Sequence, residues 1–454
     1  MTKFPEHVFR AYDIRGIYGK DLTEELAKAV GKAFGTMIGN RGRVIVGRDV
    51  RLSGEALANA VIEGLSEAGC DVLSAGIVTT PMLYFSIVHL NLDGGIQVTA
   101  SHNPPEWNGF KLVRHGGETV SEGAGMEELK RLVLENGGKE GARKGSVSKI
   151  DIVKPYIEFV TSRIKVKPGL RLAVDYSNGA VAVVFPKIAE TLGLDVKAIN
   201  EVPDGSFPGH LPEPNEETLK PLQRFVVDVG ADLGAGFDGD GDRVVFVDDK
   251  GRLITGDTAL AIYIKFLDKK GKVIYDVNCS SALREIIIKE GFEPVEMRVG
   301  RAFILNAMRE TGAVIGGEKS NHLYFPEIYG FDDAIYAALK MAEILSKSGR
   351  KISELVEEIP RYPSTPIITF DCPDELKEKV VNEIAKHYES LGLRVNKIDG
   401  VKVYFEDGWV LVRPSNTMPQ VKMAAEAKTE ERLRKIVEEA ENLIKMNIER
   451  FRNA

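Results

Sequence analysis

The chain is poor in cysteine: three, Cys70, Cys279 and Cys372, in 454 residues. They lie far apart and form no C-x-x-C pair. That excludes a disulfide framework and a cysteine-built zinc site, and predicts three buried thiols in a reducing compartment. No apolar run approaches the roughly 18 residues of a membrane span. The start, MTKFPEHVFRAYDIRG, has no apolar signal core. These absences predict a cytoplasmic protein with no membrane attachment. There is no basic surplus either: 60 Lys and Arg face 67 Asp and Glu, a net charge of −7. A general nucleic-acid coat or a binder of anionic membranes is normally basic, so neither is expected. Glutamine is scarce, at Gln97, Gln223 and Gln420 only, beside abundant Lys, Arg and Glu. That bias is typical of heat-adapted proteins.

What is present is ordinary for a globular chain, 43% hydrophobic and 28% charged, with length for about three domains. Apolar runs alternate with helical stretches. RVIVG (from Arg43) reads as a buried strand, GEALANAVIEGLSEAG as a helix ending at Gly69, and DVLSAG as the next strand. This β-α-β rhythm recurs from Leu170 (LRLAVDYSNGA, then AVVFPKIAETLG and LDVKAIN). It returns from Lys272 (KVIYDVNCS, then SALREIIIKEG and FEPVEMRVG). Each copy later reaches a polar loop after an apolar run: VTASHNPPEWNG, GFDGDGDR and IGGEKSNH. The last 90 or so residues differ. Strand-like VKVYFEDGWVLVRPSN and VKMAAEAK, separated by turn signals and flanked by helices, suggest an antiparallel α+β domain. Domains are expected at 1–150, 151–254, 255–364 and 365–454, with KGSVSK and RYPSTP as linkers.

The acidic loop Asp238-Gly-Asp240-Gly-Asp242-Arg243 is the strongest local signal. Alternate carboxylates on a glycine-permitted turn can fold around one hard divalent cation, and would repel each other without one. The overlapping G-x-G-x-x-G (from Gly234) runs into a strand and places an Asp where phosphates would approach, so it is not a dinucleotide fingerprint. An EF-hand would need glycine where Arg243 stands and glutamate where Asp249 stands. A Mg²⁺ site with positions open to phosphate fits better. Thr99-Ala-Ser101-His102-Asn103-Pro-Pro is a turn that can offer a hydroxyl. A Ser-His-Asp triad is not expected there, since adjacent Ser101 and His102 should not face each other. In Gly317-Glu318-Lys319-Ser320-Asn321-His322, Glu318 and Ser320 share a face if the segment is extended, and both can bind sugar hydroxyls. Arg413-Pro-Ser415-Asn416-Thr417 has the guanidinium, hydroxyls and amide of a phosphate cradle. Arg15 and Lys111 add possible cations.

In their order and spacing, TASHNP, DGDGDR, GEKSNH and RPSNT, with FRAYDIRG and GFDDAIYAA, resemble the α-D-phosphohexomutase family. The resemblance covers nearly the whole chain and points to the phosphomannomutase/phosphoglucomutase branch. It implies three similar α/β domains with mixed sheets plus a C-terminal α+β domain, arranged around a central cleft. Ser101 would be the phosphoserine. It would pass its phosphoryl group to a hexose phosphate, mannose or glucose, and recover the other phosphate from a hexose 1,6-bisphosphate. Asp238, Asp240 and Asp242, with a phosphoserine oxygen, would hold Mg²⁺. Glu318 and Ser320 would grip sugar hydroxyls, with His322 a substrate contact. Arg413, Ser415, Asn416 and Thr417 would hold the non-reacting phosphate. Arg15, Lys111 and Arg243 would surround the phosphoserine, with Lys111 the proton-transfer partner. Glucose 1,6-bisphosphate or mannose 1,6-bisphosphate would act as activator, on a monomer or homodimer. Lys319 and Asn321 depart from the branch's frequent GEMSGH, and Asn416 and Met418 from its RPSGTEP. Both changes leave the choice among mannose, glucose and glucosamine phosphates open. Two other readings compete. One is a phosphatase with Asp238 as nucleophile, which leaves TASHNP and RPSNT without roles. The other is a non-catalytic sugar-phosphate sensor, which an intact Ser101 and three aspartates argue against.

Overall fold

The computed structural model describes residues 4–135, 138–415 and 418–452. By its contacts the chain forms two compact units. One comprises Met1–Ala259 with Ser320–Val356, the other Leu260–Lys319 with Glu357–Ala454.

The expected repeat is real at the level of strand pairing. In the first copy, strand Arg43–Arg48 lies between two parallel neighbours, Asp71–Ile77 and Gly94–Val98. In the second, Arg171–Asp175 lies between Asp195–Ile199 and Leu233–Phe237, again parallel. In the third, Lys272–Asp276 lies between Glu293–Met297 and Ile315–Gly317. A helix joins the first two strands of each copy: Gly54–Glu67, Phe185–Leu192 and Ser281–Lys289. Antiparallel strands extend the first two sheets, Trp107–Arg114 with Ile14–Ile17 on one and Val244–Val247 on the other. Mixed sheets follow. The central strands are apolar on both faces because helices and chain cover both sides.

Three local expectations need correction. The stretch AVVFPKIAETLG is not one helix. It splits into a 3-10 turn, Ala180–Val183, and an α-helix from Phe185, because Pro186 cannot donate to the preceding turn and restarts the helix in its own first turn. KGSVSK is no free linker: Val147–Lys149 adds a parallel edge strand beside Asp71–Ile77. RYPSTP is also strapped down. Thr365 N–H donates to Ala425 O at 2.9 Å, and Ala427 N–H to Pro363 O at 3.0 Å.

The C-terminal part is the expected antiparallel domain. Five strands run in the order Ile368–Asp371, Gln420–Ala427, Gly408–Pro414, Val401–Phe405, Arg394–Asn396. Two helices, Asp374–Ser390 and Glu430–Arg452, cover the sheet through Val380, Ile384, Tyr388, Ile436 and Ile444. Burying each such side chain contributes about 1.5–3 kcal/mol. Among the described residues no helix is long and apolar enough to cross a membrane.

Candidate active site

In each copy the functional loop follows the third strand of the parallel trio. Gly94–Val98 delivers Thr99–Asn103, and Leu233–Phe237 delivers the aspartate loop. Within the first unit these two loops meet. Ser101 Oγ donates to Asp238 Oδ2 at 2.9 Å, across 137 residues of sequence. The approach is close enough that a Cβ on Gly239 would come within 2.6 Å of Ser101 O. Glycine between the aspartates is therefore a requirement of loop-on-loop contact as well as of the turn, where Gly241 has φ +76°.

Ser101 is 1% exposed and holds φ at 52°. That left-handed conformation costs a non-glycine residue about 1–2 kcal/mol, so the surroundings must impose it. Thr99 Oγ1 accepts the Ser101 N–H at 2.8 Å, and Arg51 holds the carbonyl. The Arg51 guanidinium is buried and fully engaged. It donates to Ser101 O (2.9 Å), Asn103 O (2.6 Å), Pro104 O (2.6 Å), Trp107 O (2.9 Å) and the Asp49 carboxylate (3.1 Å). Asp49 in turn accepts Thr99 Oγ1 at 2.6 Å. Four backbone carbonyls converging on one planar fork give the turn a single shape. None of this was legible in the motif. His102 corrects the sequence expectation: its Nδ1 lies 3.2 Å from Ser101 Oγ, so the adjacent pair does face each other once the backbone turns left-handed. Burial, then the charges of Arg243 and Arg15, push the imidazole down to about 2, so it is neutral.

The three aspartates gather as expected. One oxygen from each lies within 4.8 Å of the others, and all three are buried. Burial first, then Asp242 and Asp240, push the Asp238 carboxyl well above its usual range, opposed by Arg243 and Lys111. Asp238 Oδ1 caps its own loop, accepting N–H groups of Gly241 (2.9 Å), Asp242 (3.2 Å) and Arg243 (3.3 Å). Asp240 Oδ1 is buried with no hydrogen-bond partner among the described residues. Lys111 Nζ stands between the other two carboxylates, 2.7 Å from Asp240 Oδ2 and 2.5 Å from Asp242 Oδ2. Thr80, which the sequence reading missed, donates a short hydrogen bond to Asp240 Oδ2, and its N–H donates to Asp240 O at 2.9 Å. Three hard oxygens, one of them unsatisfied, and an ammonium already drawn among them fit a divalent cation.

Arg15 sits beside the serine loop. Its Nη1 donates to Asn103 Oδ1 at 2.6 Å and to Ala100 O at 3.3 Å, and Nε to Asp13 Oδ2 at 2.8 Å. Arg243 Nε donates to His322 Nε2 at 2.9 Å, which leaves the imidazole proton on Nδ1. That nitrogen lies 2.8 Å from Asp332 Oδ2 and 3.8 Å from Asp242 Oδ1. Asp242, His322 and Asp332 thus form a second cluster sharing one aspartate with the first. Asp332 was not foreseen. Asn321 holds φ at 71°. Asparagine is among the few residues besides glycine that accept this conformation.

The remaining predicted residues belong to the second unit, except half-buried Ser320 in the first. Glu318 is 2% exposed. Arg413 Nη1 donates to Asp399 Oδ2 at 2.9 Å. Ser415 is buried; its N–H donates to Gln420 O at 2.9 Å, and its Oγ accepts the Met418 N–H at 3.3 Å. Lys377, another residue missed, donates to Ser415 O at 2.6 Å and to Met418 O at 3.2 Å. Asn416 and Thr417 lie outside the described residues.

A strained, buried serine bonded to a carboxylate cluster that fits a cation is equipment for phosphoryl transfer. Comparison with known proteins narrows the class. Models of phosphoglucomutase/phosphomannomutase match four segments. The alpha/beta/alpha domains I, II and III cover residues 6–137, 154–251 and 255–362, and the C-terminal domain covers 368–443. A phosphoglucomutase/phosphomannomutase of Thermococcus kodakarensis is 38% identical, over 95% of this chain and 97% of the relative. A probable phosphoglucosamine mutase of Methanopyrus kandleri is also 38% identical, over 98% and 99%. The crystal structure of a phosphoglucomutase/phosphomannomutase family protein from Burkholderia thailandensis superimposes with a TM-score of 0.91. It is 33% identical, with 98% of each chain covered. The chain belongs to the phosphoglucomutase/phosphomannomutase family; it is an isomerase acting on hexose phosphates.

Proposed function

We propose that the protein interconverts hexose 1-phosphate and hexose 6-phosphate through a phosphoserine at Ser101. The observation that carries this reading is the hydrogen bond from Ser101 Oγ to Asp238, inside a loop that Arg51 holds in a strained shape. A serine so placed has no evident structural use and has what a phosphoryl carrier needs: a fixed position beside concentrated charge. In the forward half-reaction the bond from Ser101 Oγ to phosphorus breaks, the free hydroxyl of the substrate bonds to that phosphorus, and the hydroxyl proton passes by way of Lys111 to Ser101 Oγ. In the return half, the bond from phosphorus to the sugar's other phosphate-bearing oxygen breaks, Ser101 Oγ bonds to that phosphorus, and the Ser101 proton passes to the released sugar oxygen. The net change is migration of phosphate on the sugar, with Ser101 phosphorylated at both ends of the cycle.

Asp238, Asp240, Asp242 and the phosphorylated Ser101 would hold Mg²⁺, which when bound supplies positive charge to the transferring group. Arg15 and Arg243 add charge beside the serine loop, and Lys111 is the proton-transfer partner. Glu318 and Ser320 would bind sugar hydroxyls, with His322 a further contact. Arg413 and Ser415, together with Asn416 and Thr417, would hold the non-reacting phosphate and use that remote binding energy to orient the sugar. On this reading the four domains would divide near residues 150, 254 and 364. A cytoplasmic monomer or homodimer, primed by glucose 1,6-bisphosphate or mannose 1,6-bisphosphate, completes the reading.

The test is a coupled assay with mannose, glucose and glucosamine 1-phosphates, Mg²⁺ and a trace of glucose 1,6-bisphosphate. Formation of 6-phosphates, stimulated by the bisphosphate, is expected. Glucosamine belongs in the panel because the Methanopyrus relative carries that name at the same identity as the Thermococcus one. Release of inorganic phosphate with no 6-phosphate would replace the mutase by a hydrolase.

A further inference from the structure

Each α/β copy ends its central strand on a buried aspartate, and the three are equivalent in position. Asp49 follows strand Arg43–Arg48, Asp175 closes Arg171–Asp175, and Asp276 closes Lys272–Asp276. Their exposures are 0%, 0% and 1%. Each uses Oδ1 to accept the N–H two residues later: Arg51 at 3.0 Å, Ser177 at 2.9 Å, Asn278 at 2.6 Å. One oxygen is thereby spent on the turn, and the other is free to reach sideways.

In the first copy Asp49 Oδ2 accepts Thr99 Oγ1, which accepts the Ser101 N–H. In the third, Asp276 Oδ2 accepts the Lys319 N–H at 2.7 Å. In the second the reach is different. Asp175 Oδ2 meets His210 Nε2 at 2.9 Å, while the metal loop is tied by Ser177 Oγ donating to Phe237 O at 2.6 Å.

We infer that Asp276 is the positioning residue of the sugar loop, the counterpart of Asp49 at the serine loop. The bond to Lys319 N–H fixes the peptide plane between residues 318 and 319, and with it the backbone from which the Glu318 carboxylate projects. The inference rests on the proposed role of Glu318 in gripping the sugar. It also accounts for an otherwise unfavourable charge: burial, then the neighbouring Glu318, push the Asp276 carboxyl up to about 6. A buried carboxylate held at that disadvantage is a poor stabiliser, and its use lies in the geometry it imposes.

Asp276→Asn is nearly isosteric but presents one oxygen in place of two, so Asn278 and Lys319 cannot both be accepted. The expected result is a KM for hexose 1-phosphate raised about tenfold with kcat within about twofold, and a thermal midpoint at pH 7.5 no lower than wild type. Hydrogen exchange at residues 315–319 should quicken while 99–103 stays as in wild type. Asp49→Asn should do the reverse, lowering kcat about tenfold or more with KM within about threefold and quickening exchange at 99–103. Wild-type KM and wild-type exchange in Asp276→Asn would overturn the inference, as would kcat and KM losses equal to those of Asp49→Asn. Should the wild-type enzyme itself fail to form 6-phosphates, the proposed function fails, and the exchange at 315–319 still decides the role of Asp276.

Discussion

The serine–metal region and the Arg413 region, both polar, are built on opposite plans. Around Ser101 almost every polar atom is committed before any substrate arrives. Arg51 spends its donors on the loop carbonyls, Asp238 caps its own turn, and Lys111 neutralises two aspartates. Around Arg413 the commitment is light. The guanidinium, with 23% of its side chain exposed, is paired among the described residues with one carboxylate, that of Asp399. Lys377 is shared between the carbonyls of the neighbouring turn and the largely exposed carboxylate of Asp374, 2.6 Å away. The difference follows from the work proposed for each. A reacting centre gains from groups that need no rearrangement in the transition state. A grip on a distant phosphate must exchange one anionic partner for another and release it again, so a partly exposed ion pair, weak in water, is suitable.

This contrast can be tested by where the damage appears. Ser101→Ala should have the largest effect, a fall in turnover on the order of 10⁴-fold or more in the coupled assay. Survival of phosphate release in that variant would move the nucleophile to Asp238. Asp240→Asn comes next. It replaces one carboxylate oxygen by an amide NH2 and removes the charge, so the side chain can no longer offer one oxygen to a cation and the other to Lys111 and Thr80, and metal affinity should weaken by about 100-fold or more. Calorimetric titration of Mg²⁺ reads this directly, and wild-type affinity in the variant would take Asp240 out of the cation site. Arg413→Ala should mainly raise KM, by roughly 10- to 100-fold. A variant with KM and kcat both unchanged would show that the phosphate is held elsewhere.

The smallest effect concerns pH. The Asp276 carboxyl titrates at about 6 in the fold against about 3.9 in an unfolded chain. A raised carboxyl means that the folded state binds its proton more tightly. Wild-type stability should therefore fall as pH rises from about 4 through 6, by up to about 3 kcal/mol from this group. Asp276→Asn should lack that decline. Parallel slopes of unfolding free energy against pH in the two proteins would assign the decline to other groups.

Much of this plan could be read from residue order. The β-α-β rhythm marked the strands at Arg43, Arg171 and Lys272 because parallel strands buried on both faces show as continuous apolar runs. The loops stood out because glycine, proline and clustered carboxylates are legible locally. What stayed hidden were the residues that hold the loops. Arg51 lies 50 positions from the carbonyl of Ser101, and Thr80 160 positions from Asp240. Neither has a local pattern that distinguishes it from a surface arginine or a helix-start threonine. Asp49, Asp175 and Asp276 were visible as strand ends, in GRD, AVD and IYD. Nothing in those triplets says that a buried oxygen would reach the next loop. The mutual approach of Ser101 and His102 was not legible because it occurs where Ser101 takes a positive φ, which the residue types do not announce.

The sequence alone determined the chemistry on offer: a serine on a proline-bounded turn, three carboxylates spaced by glycine, an arginine on a polar loop, and three copies of one α/β unit to carry them. Those properties are local, set by residue type and short spacing. Tertiary structure alone decided that the serine would lie 2.9 Å from the first aspartate. It also decided that an ammonium would stand among the others, and that each copy's buried aspartate would find its own partner. Such distances depend on strands brought side by side from far along the chain, and on burial that makes every unpaired charge costly enough to select one arrangement.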